Sequence, residues 1–142
     1  MKSPKSKGLH LPAASEQMKA WSAALAGEIA DWPQVDLRSF FGFTALYRRD
    51  LIFAVLPRTR AMGTSNSLAF KLESAGPKIQ ARLEKDPRMG FTLMQRKRWY
   101  TFELSSDADL HDALDWLGRA YEAARNQSAK GIGKKSELKN QS

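Results

Sequence analysis

Cysteine is absent from this sequence, and histidine occurs only twice, at His10 and His111. The lack of cysteine excludes disulfides and metal sites built on thiolates. The two histidines lie far apart in the chain, and neither has the spacing that metal ligands favour. We therefore predict no metal site.

Long apolar runs and nucleotide-binding loops are also missing. No stretch approaches the roughly twenty apolar residues of a membrane span, and no apolar segment follows the basic residues 1–8 as a secretory signal would require. G-x-G-x-x-G and Walker patterns do not occur. These absences predict a cytoplasmic protein with no cofactor and no membrane partner.

Catalytic groups are scarce as well. Hydrolysis of the triad type needs a nucleophile, a base and an orienting acid. Serine and threonine occur in the segment 57–67, but His111 lies on a predicted helix beside acids. Paired carboxylates such as Asp107 and Asp109 suit the start of a helix. We predict that the protein is not an enzyme, and a small enzyme is the least favoured alternative.

The net charge of +8 is unevenly distributed. Thirteen bases and four acids lie between residues 38 and 98, whereas acids outnumber bases in 15–37 and 99–125. The predicted sheet is thus basic and the predicted helices are acidic. A surface of one sign attracts phosphate, although solvated charges at turns would give the same pattern.

Apolar periodicity predicts an α+β fold. Residues 51–56 contain no polar side chain, which indicates a central strand, and Pro57 ends it because proline cannot donate to a sheet ladder. Alternating apolar residues predict further strands. These begin near Val35 and cover 43–47, 68–72, 89–94 and 99–104.

Helical spacing of apolar residues predicts two long amphipathic helices and one short one. The first begins after Ser15 as N-cap and ends near Asp31, and the short helix begins at Gly76-Pro77. The last has apolar residues at Leu110, Leu114, Leu117 and Tyr121.

Together these elements predict a mostly antiparallel sheet of about six strands, covered by N-terminal and C-terminal amphipathic helices plus one short helix. The domain extends over 15–126. The basic arm 1–14 and the lysine-rich tail 127–142 are predicted to be disordered.

Seven basic residues at three predicted turns are the candidate nucleic-acid-binding residues. They are Arg48, Arg49, Arg58, Arg60, Arg96, Lys97 and Arg98. If the three turns share one end of the sheet, their cations converge on phosphate. Trp99 or Tyr100 would then be available to stack on a base.

Short motifs in a particular order resemble the N-terminal domain of the TfoX/Sxy family of competence regulators. They are Phe41-Gly42, Leu46-Tyr47, Phe53-Ala54-Val55, Leu68-Ala69-Phe70-Lys71, the aromatic strand from Trp99 to Phe102, and a helix with Trp116, Ala120 and Ala124. The YjbR/MmcQ and luciferase-domain families share this layout. The family often has glycine where this chain has Phe43 and Arg49-Asp50.

The resemblance implies an α+β fold and a role in transcriptional regulation or DNA binding, and it implies no catalytic residue. We therefore expect a non-enzymatic regulatory module whose partner is DNA or another anionic molecule. The alternative is a domain that binds a protein partner, or forms a homodimer, without binding nucleic acid.

Overall fold

A six-stranded sheet in which every strand is antiparallel to its neighbours forms the frame of the molecule. The computed structural model describes residues 11–72, 75–91 and 98–124. The strands are β1 (Val35–Phe40), β2 (Phe43–Arg48), β3 (Leu51–Pro57), β4 (Ser67–Lys71), β5 (Met89–Phe91) and β6 (Trp99–Glu103). Their order across the sheet is β1-β2-β3-β4-β6-β5.

Three helices complete the α+β fold that the sequence predicts. They are α1 (Glu16–Ile29), α2 (Pro77–Lys85) and α3 (109–124). Ser15 is the N-cap of α1, where its Oγ accepts a hydrogen bond from the Met18 N–H at 3.0 Å. Proline stands in the first turn of α2, where its missing N–H costs nothing. None of the helices in the described ranges is long and apolar enough to cross a membrane.

The main core lies between the helices and one face of the sheet. All three helices contribute to it, and β3 crosses its centre, with Phe53, Ala54 and Leu56 at most 1% exposed. The central position predicted for residues 51–56 is therefore confirmed. Burial on this scale is the main stabilising term of the fold.

The opposite face of the sheet carries a second, smaller apolar cluster. Its buried members are Phe43, Ala45, Val55, Met62, Ala69 and Trp99. They come from strands and from the loop after β3, and none comes from a helix in the part of the chain that is described. This arrangement follows from the alternation along β2, which directs Phe43 and Ala45 away from Leu46.

Residues 12–14, which the sequence analysis assigned to the N-terminal arm, are hydrogen-bonded to the loop after β3. The Ala61 N–H donates to the Pro12 carbonyl at 2.9 Å, and the Ala14 N–H donates to the Thr59 carbonyl at 3.0 Å. These bonds attach the chain before α1 to the loop after β3. The rest of the predicted arm, 1–10, and the predicted tail, 127–142, lie outside the described residues.

Candidate binding surface

The strand directions place the predicted basic residues at two opposite ends of the sheet. Arg49 lies in the turn between β2 and β3, and Arg98 precedes Trp99, which pairs with Lys71 at the same end. Arg58 and Arg60 follow the other end of β3. Seven residues of β3 separate the two ends, which is about 20 Å at the usual rise of a strand.

We call the end with Arg58 and Arg60 the loop end, and the end with Arg49 and Arg98 the hairpin end. The predicted convergence required all three turns to share one end, and the described residues do not meet that condition. Arg96 and Lys97 lie outside the described residues.

Arg48 is held inside the domain and is only 7% exposed. Its Nη1 donates to the Tyr121 carbonyl at 3.2 Å, its Nε donates to Gln34 Oε1 at 3.1 Å, and its guanidinium lies 3.8 Å from the centroid of the Tyr121 ring. These contacts connect β2 to α3. A phosphate in solvent has no access to a side chain this deeply buried.

The aromatic residues expected to stack on a base are also inside the fold. Trp99 is 8% exposed and belongs to the small cluster, whereas Tyr100 is 5% exposed and belongs to the main core. Their alternation along β6 directs them to opposite faces. Neither ring offers a stacking surface in this structure.

The exposed aromatic residues lie instead at the loop end. Phe41 is 84% exposed and Phe40 is 39% exposed, and their rings meet edge to face with centroids 4.9 Å apart. We call this pair the aromatic tip. Among the described residues, Leu11 is the other large apolar side chain that is exposed, and its carbonyl accepts a bond from Arg60. The paired rings of Phe40 and Phe41 make the aromatic tip a candidate contact surface.

The turn that carries the aromatic tip has an unusual backbone for its sequence. Phe40 pairs with Phe43, so the loop has two residues, and both have positive φ: 43° at Phe41 and 87° at Gly42. Positive φ at both positions characterises the type I′ turn, which favours Asn-Gly. Phenylalanine in this conformation costs about 1–2 kcal/mol.

The loop after β3 is hydrogen-bonded to the turn that carries the aromatic tip. The Gly42 carbonyl accepts backbone N–H bonds from Arg58, Thr59 and Arg60 at 3.0, 2.9 and 3.1 Å. A Cβ at Gly42 would lie 2.8 Å from the Cγ of Arg60, so only glycine permits this approach. The backbone contacts hold both arginines beside the exposed rings.

Arg58 and Arg60 make hydrogen bonds to neutral groups. Arg58 Nη1 donates to Ser39 Oγ at 2.8 Å, and Arg60 Nη1 is 3.5 Å from the Leu11 carbonyl oxygen. Across residues 11–72, 75–91 and 98–124, no carboxylate forms an ion pair with either guanidinium. By contrast, Arg38 lies 2.8 Å from Asp36. The loop end therefore keeps its positive charge.

A groove between α2, α3 and the chain after α1 is the second candidate. Its volume is about 610 Å³, and it is lined by Trp32, Leu72, Ile79, His111, Leu114, Asp115, Gly118, Arg119, Glu122 and Ala123. Asp115 is paired with Arg119 at 3.5 Å and with Arg82 at 3.9 Å. The described residues contain no group of acidic or histidine side chains placed to hold a metal ion.

Phe40 and Phe41 are the exposed aromatic residues that the sequence analysis did not assign to the candidate site. The signal was a Phe-Gly pair between two alternating apolar segments, which is where a two-residue hairpin loop lies. An aromatic residue in such a loop is held away from the sheet and cannot enter the core. Phe41 also belongs to the Phe41-Gly42 motif that resembles the TfoX/Sxy domain.

No protein-family model matches this chain, and the searches of curated proteins and of solved structures gave no match either. The resemblance to the TfoX/Sxy N-terminal domain therefore stays a prediction. The contacts and charges of the loop end are the basis for the functional argument.

Proposed function

We propose that this domain is a nucleic-acid-binding regulatory module of the TfoX N-terminal type, and that it contacts single-stranded nucleic acid through its loop end. In this proposal the rings of Phe40 and Phe41 stack on unpaired bases, and Arg58 and Arg60 contact the adjoining phosphates. The supporting observation is Phe41, which is 84% exposed at positive φ beside Arg58 and Arg60, two arginines that no carboxylate of the described residues pairs with.

The chemistry of the loop end suits a single strand better than a duplex. Unpaired bases expose their faces, and stacking of a base on an aromatic side chain contributes about 1–3 kcal/mol regardless of sequence. Paired bases hide those faces inside the helix. The planar guanidinium groups of Arg58 and Arg60 match phosphate oxygens. Their backbone attachment to Gly42 reduces the conformational entropy that binding would otherwise cost.

The charge contribution is tested with the full chain and a fluorescein-labelled single-stranded DNA of mixed sequence, by anisotropy over a series of salt concentrations. We expect Arg58→Gln and Arg60→Gln each to reduce the slope of log K against log salt by about 0.7. Arg49→Gln is the matched control, because it removes one exposed charge at the hairpin end. Equal effects of all three changes would contradict binding at the loop end.

The stacking contribution is tested by Phe41→Asn. We expect the affinity to fall about 5- to 150-fold at every salt concentration, and the salt slope to stay unchanged because the lost contact is uncharged. A labelled duplex of the same sequence should bind more weakly than the single strand and respond less to this change. Absence of binding at low salt would reject the proposal and favour the alternative of a protein-interaction domain.

A further inference from the structure

Strand β1 forms an open edge of the sheet. It pairs with β2 on one side and has no neighbour on the other among the described residues. Four of its six residues are exposed, and Val35 and Leu37 are half-buried. The other edge strand, β5, has three residues. An exposed edge as long as β1 offers unpaired backbone groups to another strand.

The direction of these groups follows from the pairing with β2. The Arg49 N–H donates to the Gln34 carbonyl at 2.9 Å, and hydrogen-bonded pairs alternate along an antiparallel ladder. Asp36 and Arg38 therefore direct their backbone groups to β2, whereas Leu37 and Ser39 direct theirs outward. The Val35 N–H is 3.3 Å from the Trp32 carbonyl oxygen, so its own carbonyl is the group that faces the open edge.

The residue order of β1 is complementary to itself when read in the opposite direction. If a second copy pairs with the edge around a two-fold axis at Leu37, Leu37 faces its own counterpart and Asp36 faces Arg38 of the other chain. This pair of oppositely charged residues occupies a non-hydrogen-bonded position, where side chains approach most closely. It occurs twice because of the symmetry.

Charge also selects this register. Moving the axis to Arg38 would place the two Arg38 side chains opposite each other, and moving it to Asp36 would do the same with two carboxylates. Like charges directly across a ladder are unfavourable. Asp36 and Arg38 are exposed and pair within one chain at 2.8 Å, and Arg38 also lies 3.4 Å from Asp50, so the dimer replaces ion pairs within one chain by ion pairs between chains.

We propose that a second copy of this chain pairs with β1 in antiparallel orientation and joins the two sheets into one. The resulting homodimer places the two Phe40 residues six strand positions apart, about 20 Å, with the two aromatic tips pointing in opposite directions. This inference rests on β1 alone and does not depend on nucleic-acid binding.

Size-exclusion chromatography with light scattering, applied to the full chain over a range of micromolar concentrations, tests the dimer. We expect a dimer for the unchanged chain. Asp36→Arg and Arg38→Asp alone each place like charges across the interface and should raise the dissociation constant about tenfold or more. The double variant, Asp36→Arg with Arg38→Asp, exchanges the two charges and so restores opposite charges across the interface. Its dissociation constant should return to near that of the unchanged chain.

A second variant tests the backbone pairing without altering charge. Ser39→Pro removes an N–H that faces the open edge, so the monomer keeps its ladder to β2 while the dimer loses two hydrogen bonds. We expect a folded monomer, with folding verified by circular dichroism. A monomeric unchanged chain, single charge variants that dimerise with the dissociation constant of the unchanged chain, or a folded double variant whose constant stays raised would each overturn the proposal.

Discussion

Phe41 occupies a backbone conformation that is unfavourable for its own side chain. Its φ of 43° lies in the left-handed region, and its ring is 84% exposed to water. The left-handed backbone conformation favours asparagine, aspartate or glycine at this position, and Asn-Gly is the preferred sequence for the turn. Strain of this kind is concentrated at binding and catalytic sites, where it is retained for function.

Phe41→Asn should therefore increase stability while it weakens binding. We expect the free energy of unfolding to rise by about 1 kcal/mol and the melting temperature to rise by about 2–5 °C, measured by thermal and urea unfolding. Phe40→Asn is the control, because Phe40 lies in a strand and asparagine is a poor strand former. A lower melting temperature for Phe41→Asn would show that the ring stabilises the turn.

Arg48 shows how an arginine at a turn becomes a structural residue. We expect Arg48→Met to lower the free energy of unfolding by about 2 kcal/mol, because the Tyr121 carbonyl and Gln34 lose their donor. Urea unfolding measures this loss. Arg49→Met, at an exposed neighbour, should change stability by less than about 0.5 kcal/mol. Equal effects of the two changes would contradict the internal role of Arg48.

At the level of elements, Arg88 joins the α2–β5 connection to the first turns of α3. Its Nη2 donates to Asp86 at 2.8 Å and to Asp112 at 3.1 Å, and its Nη1 donates to Asp109 at 2.8 Å. Arg88 lowers the pKa of Asp86 mainly through its side-chain hydrogen bonds. The pKa of Asp109 is lowered first by the Ser105 backbone N–H and then by Arg88.

These lowered pKa values predict a loss of stability in acid. Asp86 and Asp109 ordinarily titrate at 3.8. Their contribution is therefore fully present above about pH 4, and it is lost as the pH falls through the lower pKa values of the folded state. Urea unfolding between pH 7 and pH 2.5 should show this decline. A free energy of unfolding that does not change below pH 4 would contradict it.

Arg88→Gln should lower the free energy of unfolding at pH 7 by about 2 kcal/mol, because three carboxylates lose their shared cation. Below pH 4 the difference in unfolding free energy from the unchanged chain should narrow, because Asp86 and Asp109, whose pKa values Arg88 helps to lower, become protonated. Arg82→Gln is the control. Arg82 is paired with Asp115 at 3.9 Å, both side chains are 49% exposed, and exposed pairs contribute little. If the difference in unfolding free energy between Arg88→Gln and the unchanged chain stays constant with pH, the carboxylates are not its cause.

The whole molecule has one dominant core, and β3 lies at its centre. We expect Leu56→Ala to lower the free energy of unfolding by about 3 kcal/mol while unfolding stays a single transition. Leu56 is 0% exposed on the helix-covered face, whereas Leu11 is 37% exposed at the loop end. Leu11→Ala should therefore change stability by less than about 0.5 kcal/mol. If Leu56→Ala and Leu11→Ala lowered the free energy of unfolding by comparable amounts in urea, the core around β3 would not be the main source of stability.

Most of the fold could be predicted because each element carries its own local pattern. The Ser15 cap and the apolar spacing after it predict α1, and the uninterrupted apolar residues of 51–56 predict a central strand. The candidate site was less predictable. The end of the sheet on which Arg58 and Arg98 lie depends on strand direction and on the insertion of β6 between β4 and β5, which no local window contains.

By itself the sequence determined the α+β class, the element order and the excess of bases between residues 38 and 98, because periodicity and charge are properties of neighbouring residues. The tertiary structure alone decided that Arg48 is buried against α3, that Arg58 and Arg49 lie at opposite ends of the sheet, and that Phe41 is exposed to solvent. These outcomes depend on contacts between residues far apart in the chain, such as Gly42 with Arg60 and Arg48 with Tyr121.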